Sequence, residues 1–125
     1  MEENKIIKDN AATMYVSSPK ASYGIFCFNS QGDLFLNSDW GFFGFAWRAY
    51  GKDFKEFLKS LNSEYVVGKF EYNWNMDRKG KFTGRRKECV TELVSIFLQE
   101  LRKDEAVRPF NDGDGKINEQ GKIVG

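Results

Sequence analysis

The chain has 125 residues, 41% hydrophobic and 16% aromatic, with a formal net charge of +1; this is the size of one domain able to bury roughly two thirds of its unfolded surface. It contains no histidine, which removes the commonest general base, the commonest metal ligand and every Ser-His or Cys-His nucleophile pair. No stretch approaches the roughly 20 apolar residues of a membrane span, and the opening MEENKIIKDN has no apolar core of signal-peptide length, so an intracellular protein without a membrane partner is expected.

Residues 1–11 are polar and read as a flexible N-terminus. Short β-rich runs follow at Thr13–Ser17 and Tyr23–Asn29, then a turn at Ser30-Gln31-Gly32-Asp33 and an alternating run, Asp33–Ser38. Short turns between consecutive strands predict an antiparallel meander. The next segment, WGFFGFAWRAY from Trp40 to Tyr50, has six aromatics in eleven residues. Aromatic rings and two glycines suit a strand better than a helix. Alternation puts Phe43, Phe45 and Trp47 on one face and Trp40, Phe42 and Tyr50 on the other. The strand is therefore covered on both sides or offers Trp40, Phe42 and Tyr50 to a partner. Arg48 within it is expected at the sheet edge or stacked on Trp40 or Tyr50.

The period changes after Gly51. Phe54, Phe57, Leu58, Leu61 and Tyr65 predict one amphipathic helix, capped by Asp53 with Glu56 three residues on. Phe70, Tyr72, Trp74 and Met76 alternate with polar residues and predict a further strand. Val90, Leu93, Val94, Phe97, Leu98 and Leu101 then mark a helix through Lys103 that starts near Thr83. The expected fold is α+β: an antiparallel sheet of about four to five strands with two helices packed on it. Residues 12–108 form this single domain, and the glycine-rich residues 109–125 form a flexible tail.

Arg78, Lys79, Lys81, Arg85, Arg86 and Lys87 place six positive charges within ten residues, so the remaining 13 basic and 18 acidic residues carry −5. Arg85, Arg86 and Lys87 stand near a helix N-terminus, where the macrodipole disfavours cations. An anionic partner would compensate them, and Phe82 among them could stack on a base. The segment Arg78–Lys87 is thus the candidate anion-binding site. Asp112, Asp114, Gly115 and Ile117 imitate a calcium loop, but Phe110 and Gly121 stand where its first and last oxygen ligands belong. Cys27 and Cys89 sit among apolar neighbours and read as free thiols. With no phosphate loop, dinucleotide fingerprint or zinc spacing, neither a cofactor nor a metal is expected, and no catalytic residue is assigned. Paired carboxylates (Asp53 with Glu56, Glu64 with Glu71) read as caps and solubilising charges.

The block WGFFGFAWRAYGKDFKEFLKSLNSEYVVGKF resembles small accessory proteins of bacteriophages and prophages. The resemblance rests on Phe45, Trp47, Gly51, Phe54, Phe57, Leu58, Leu61, Tyr65, Lys69 and Phe70. It implies a non-enzymatic protein in the host bacterial cytoplasm that binds a host protein or ribonucleoprotein complex. By analogy with anti-CRISPR proteins, it would inhibit or redirect a defence machine. The alternative is direct binding of RNA or a single strand through the same basic residues.

Overall fold

The computed structural model describes residues 3–77 and 80–107. Strands β1 (Ala11–Ser18), β2 (Ser22–Asn29), β3 (Asp33–Ser38) and β4 (Gly41–Ala46) form one sheet in the order β1-β2-β3-β4. Every neighbouring pair is antiparallel, as the short turns predict. Helices α1 (Phe54–Lys59), α2 (Ser63–Asp77) and α3 (Gly84–Val107) follow.

The turns are held by side chains that replace missing ladder bonds. Ser18 Oγ accepts from Ala21 N–H at 2.9 Å. Asn29 Oδ1 accepts from the N–H groups of Gln31 and Asp33, at 2.9 and 3.1 Å. Ser38 Oγ accepts from Trp40 N–H and donates to the Gly41 carbonyl. Such local bonds are the reason Ser and Asn favour turns. Before β1, Asp9 accepts from Ser30 Oγ and Asn10 N–H, and these bonds hold its exposed carboxyl below the usual aspartate range.

Alternation along the strands sorts two faces. Val16, Phe26, Phe28, Leu34, Leu36 and Phe43 point inward and are buried. Against them α3 sets Val90, Leu93, Val94, Phe97, Leu98 and Leu101, all buried, so the predicted helix stripe forms the second layer of the core. Phe26 and Phe97 stack with centroids 4.2 Å apart. At Gly24 an added Cβ would lie 2.9 Å from Leu36 Cδ1 and 3.1 Å from Leu93 Cδ1; the absent side chain lets α3 approach the sheet.

Three sequence expectations are corrected. The aromatic strand ends at Ala46, so Trp40 precedes it and Tyr50 lies beyond it. The predicted helix over Phe54–Tyr65 divides. α1 is capped by Asp53, which accepts from Lys55 and Glu56 N–H, and ends at Ser60; α2 then starts where Asn62 Oδ1 accepts from Tyr65 N–H at 2.8 Å. The strand predicted over Phe70–Met76 is the second half of α2. Val66, Val67 and Phe70 are buried and Trp74 is half-buried, while Tyr72 and Met76 face solvent. Two exposed apolar residues imitated a period of two. Cys27 and Cys89 are free thiols, as expected.

Within α2, Gly68 is exposed and an added Cβ would meet nothing within 4 Å. Gly68→Ala is expected to stabilise the fold by about 0.5–1 kcal/mol, the helix-propensity gain, measured as a raised denaturation midpoint with an unchanged slope.

Candidate binding surface

α3 covers one face of the sheet, and the strand register assembles the other. Tyr15, Ile25, Asn37 and Phe42 form one cross-strand row; Thr13, Cys27, Phe35 and Gly44 form the next. Tyr15, Phe42 and Phe35 keep 79%, 77% and 54% of their surface exposed. Gly44 leaves room for the Phe35 ring, whose Cδ1 would lie 3.1 Å from a Cβ added there. The face continues around β4 into an open groove of about 1030 Å³ that also takes in Asn73, Trp74 and Met76. Among the described residues its one charged lining residue, Asp33, is paired with Arg48 at 3.2 Å. The surface is aromatic and almost uncharged.

The basic segment lies beside this groove at the start of α3, with Lys81, Arg85 and Lys87 exposed and Arg86 half-buried. Arg85, Arg86 and Lys87 occupy the first turn of α3, where no acid stands. Arg86 Nε donates to the Trp40 carbonyl at 3.0 Å and its Nη1 to the Lys81 carbonyl at 2.8 Å. Its guanidinium also lies over the Trp74 ring, 4.9 Å from the centroid. Arg85 lies 5.9 Å from the Trp40 centroid and donates to the Lys20 carbonyl at 3.4 Å. Lys87 pairs with Glu71 at 3.1 Å. Carbonyls, ring faces and one carboxylate thus offset the unfavourable helix dipole within the molecule. Lys81 is exposed. Phe82 is not the free stacking ring expected: it is 2% exposed and packs edge-on against Phe43, with centroids 5.4 Å apart. Arg78, Lys79 and the calcium-like loop Asp112–Gly121 lie outside the described residues.

A family model described as the Phage family matches residues 4–112. The chain belongs to this phage family. Neither a curated protein nor a solved structure matches it.

Of the three aromatics expected to face a partner, the phage protein presents Phe42. Trp40 is half-buried, with Nε1 donating to the Ala21 carbonyl at 2.9 Å. Tyr50 is also half-buried; its hydroxyl donates to the Ser30 carbonyl at 2.7 Å and its ring meets Phe54 edge-on. Arg48 stacks on neither; it donates to the Gln31 carbonyl at 2.7 Å and to Asp33. Sequence reasoning missed Tyr15 and Phe35. The available signal was DLFLNS, where Leu34 and Leu36 share one face and leave Phe35 on the other. Among the described residues no cluster of metal-ligating side chains occurs, and no helix is long and apolar enough to cross a membrane.

Proposed function

We propose that this phage protein is a non-enzymatic accessory factor that binds a host protein through the outer face of its sheet. In doing so it inhibits or redirects a defence complex in the host cytoplasm, as anti-CRISPR proteins do. One observation carries the reading: Tyr15, Phe35 and Phe42 stand exposed on a nearly uncharged surface. Contiguous exposed apolar patches mark interaction sites, and aromatic residues dominate the energy of protein interfaces. Among the described residues no cation lines this groove, whereas nucleic-acid affinity requires cations, which favours a protein partner over the alternative of direct RNA binding. The basic segment becomes a neighbouring margin, with Lys81 and Arg85 its most accessible cations.

The experiment is capture from host lysate with and without nuclease. Nuclease-resistant capture is expected. Phe42→Glu should weaken binding to the captured protein at least tenfold, a loss of about 1.4 kcal/mol or more, and leave stability unchanged because the ring is exposed. Lys81→Glu with Arg85→Glu should reduce affinity less and flatten its salt dependence. Undiminished binding by Phe42→Glu would overturn the reading. Capture abolished by nuclease, with free RNA bound in a salt-dependent way, would establish the alternative. Arg86 is unsuitable for charge reversal, since its two carbonyl bonds belong to the fold.

A further inference from the structure

The two edges of the sheet are treated differently. An edge strand presents unpaired N–H and C=O groups, and proteins guard such edges with charge, proline, bulges or a covering element. At β4 the guard is α2: Asn73 Nδ2 donates to the Gly44 carbonyl at 2.6 Å. At β1 no such device occurs among the described residues. Its sequence, AATMYVSS, contains no charged residue and no proline. It pairs with β2 from Ala11↔Asn29 to Ser18↔Ser22 without a skipped residue, so there is no bulge.

The ladder also identifies which groups are free. Trp47 N–H donates to the directly opposed Gly32 carbonyl at 2.8 Å, which fixes the alternation of hydrogen-bonded pairs in β3–β4. Carried across β3 and β2 through their registers, that alternation turns Ala12, Met14, Val16 and Ser18 toward β2. Ala11, Thr13, Tyr15 and Ser17 therefore direct their N–H and C=O outward, and no backbone partner for them occurs among the described residues.

We propose that β1 pairs edge to edge with β1 of a second copy, joining two sheets into one continuous antiparallel sheet. The chain's own copy fits this edge for two reasons. An uncharged strand meets no like charge when it faces itself, and two-fold pairing is self-complementary by construction. The register follows from the free groups. Ala11 opposes Ser17 and Thr13 opposes Tyr15 of the other copy, which pairs every outward residue and puts the axis at Met14. A seam of eight residues is only about 26 Å long at ~3.3 Å per residue, short for a standard interface, so the dimer is reversible and concentration-dependent. It would also run the aromatic outer faces together into one surface.

Sedimentation of the purified full-length chain from about 1 to 300 µM tests this without any host partner, so it stands or falls separately from the proposed host interaction. A monomer–dimer equilibrium is expected. Thr13→Pro, which removes one outward N–H at an edge where proline is tolerated, should shift it at least tenfold toward monomer. Thr13→Lys, which keeps the strand intact and adds a like charge near its copy, should do the same and decides the matter if the proline variant unfolds. Met14→Cys should yield a disulfide-linked dimer under mild oxidation where the wild type does not, because directly opposed residues at a non-hydrogen-bonded site lie about 4.5 Å apart. A chain monomeric throughout the range, or a dimer undisturbed by Thr13→Lys, would overturn the proposal. A dimer broken by Phe42→Glu but not by Thr13→Lys would overturn it as well, and would move the contact to the outer face.

Discussion

Phe97→Ala is expected to destabilise the fold by about 3–5 kcal/mol, the range for removing a buried aromatic ring. Phe97 has no exposed surface. It stacks on Phe26 at 4.2 Å with rings 7° from parallel, and it meets Phe28 edge-on at 6.0 Å. Its neighbours on both strand and helix are close-packed, so little collapse into the void is available and the cavity cost falls near the top of the range. Chemical denaturation checks this as a shifted midpoint at constant slope. A loss under 1 kcal/mol would show that α3 does not close the core against β2.

How much of this was legible depends on where each residue's partner lies. The meander and α3 were readable because their signals are local: turn residues between short apolar runs, and apolar positions at helical spacing. α2 was not, because Phe70 and Trp74 fit a helix face while Tyr72 and Met76 complete an alternation that exposure alone explains. Asn62 was the overlooked start signal. The internal contacts of the basic segment are hidden from the sequence for a different reason. Arg86 is satisfied by the Trp40 carbonyl, 46 residues away in the chain, a contact that composition and spacing cannot reveal. Its violation of the helix-dipole rule was a real observation, but the compensation is internal. Phe82 follows the same logic: flanked by lysine and threonine, it looked exposed, yet the turn into α3 carries it under Phe43. Tyr15 and Phe35 were obscured because strands apolar on both faces do not say which face a helix covers.

Gly32→Ala is expected to cost about 2–3 kcal/mol, combining ~1–2 for a non-glycine residue at positive φ with ~1 for a disrupted backbone bond. Gly32 has φ +96° and buries its Cα beneath the chain leaving β4, where an added Cβ would lie 2.0 Å from the Trp47 carbonyl oxygen. That obstacle is backbone and cannot rotate away. Nearby, Trp47 N–H donates to Gly32, Arg48 to Gln31 and Tyr50 to Ser30, so the segment that must yield is tied to the turn three times over. Gly51 supplies the comparison: it has φ +90°, but an added Cβ there meets nothing within 4 Å. Gly51→Ala should therefore cost only the conformational part, about 1–2 kcal/mol. The difference between the two losses isolates the steric wall. It also bears on binding, because the Trp47–Gly32 bond extends the β3–β4 ladder in the register that places Phe42 outward, and a slip of one residue would send that ring to the opposite face. Denaturation of both variants measures the contrast; equal losses would mean that the carbonyl of Trp47 yields to the added methyl group.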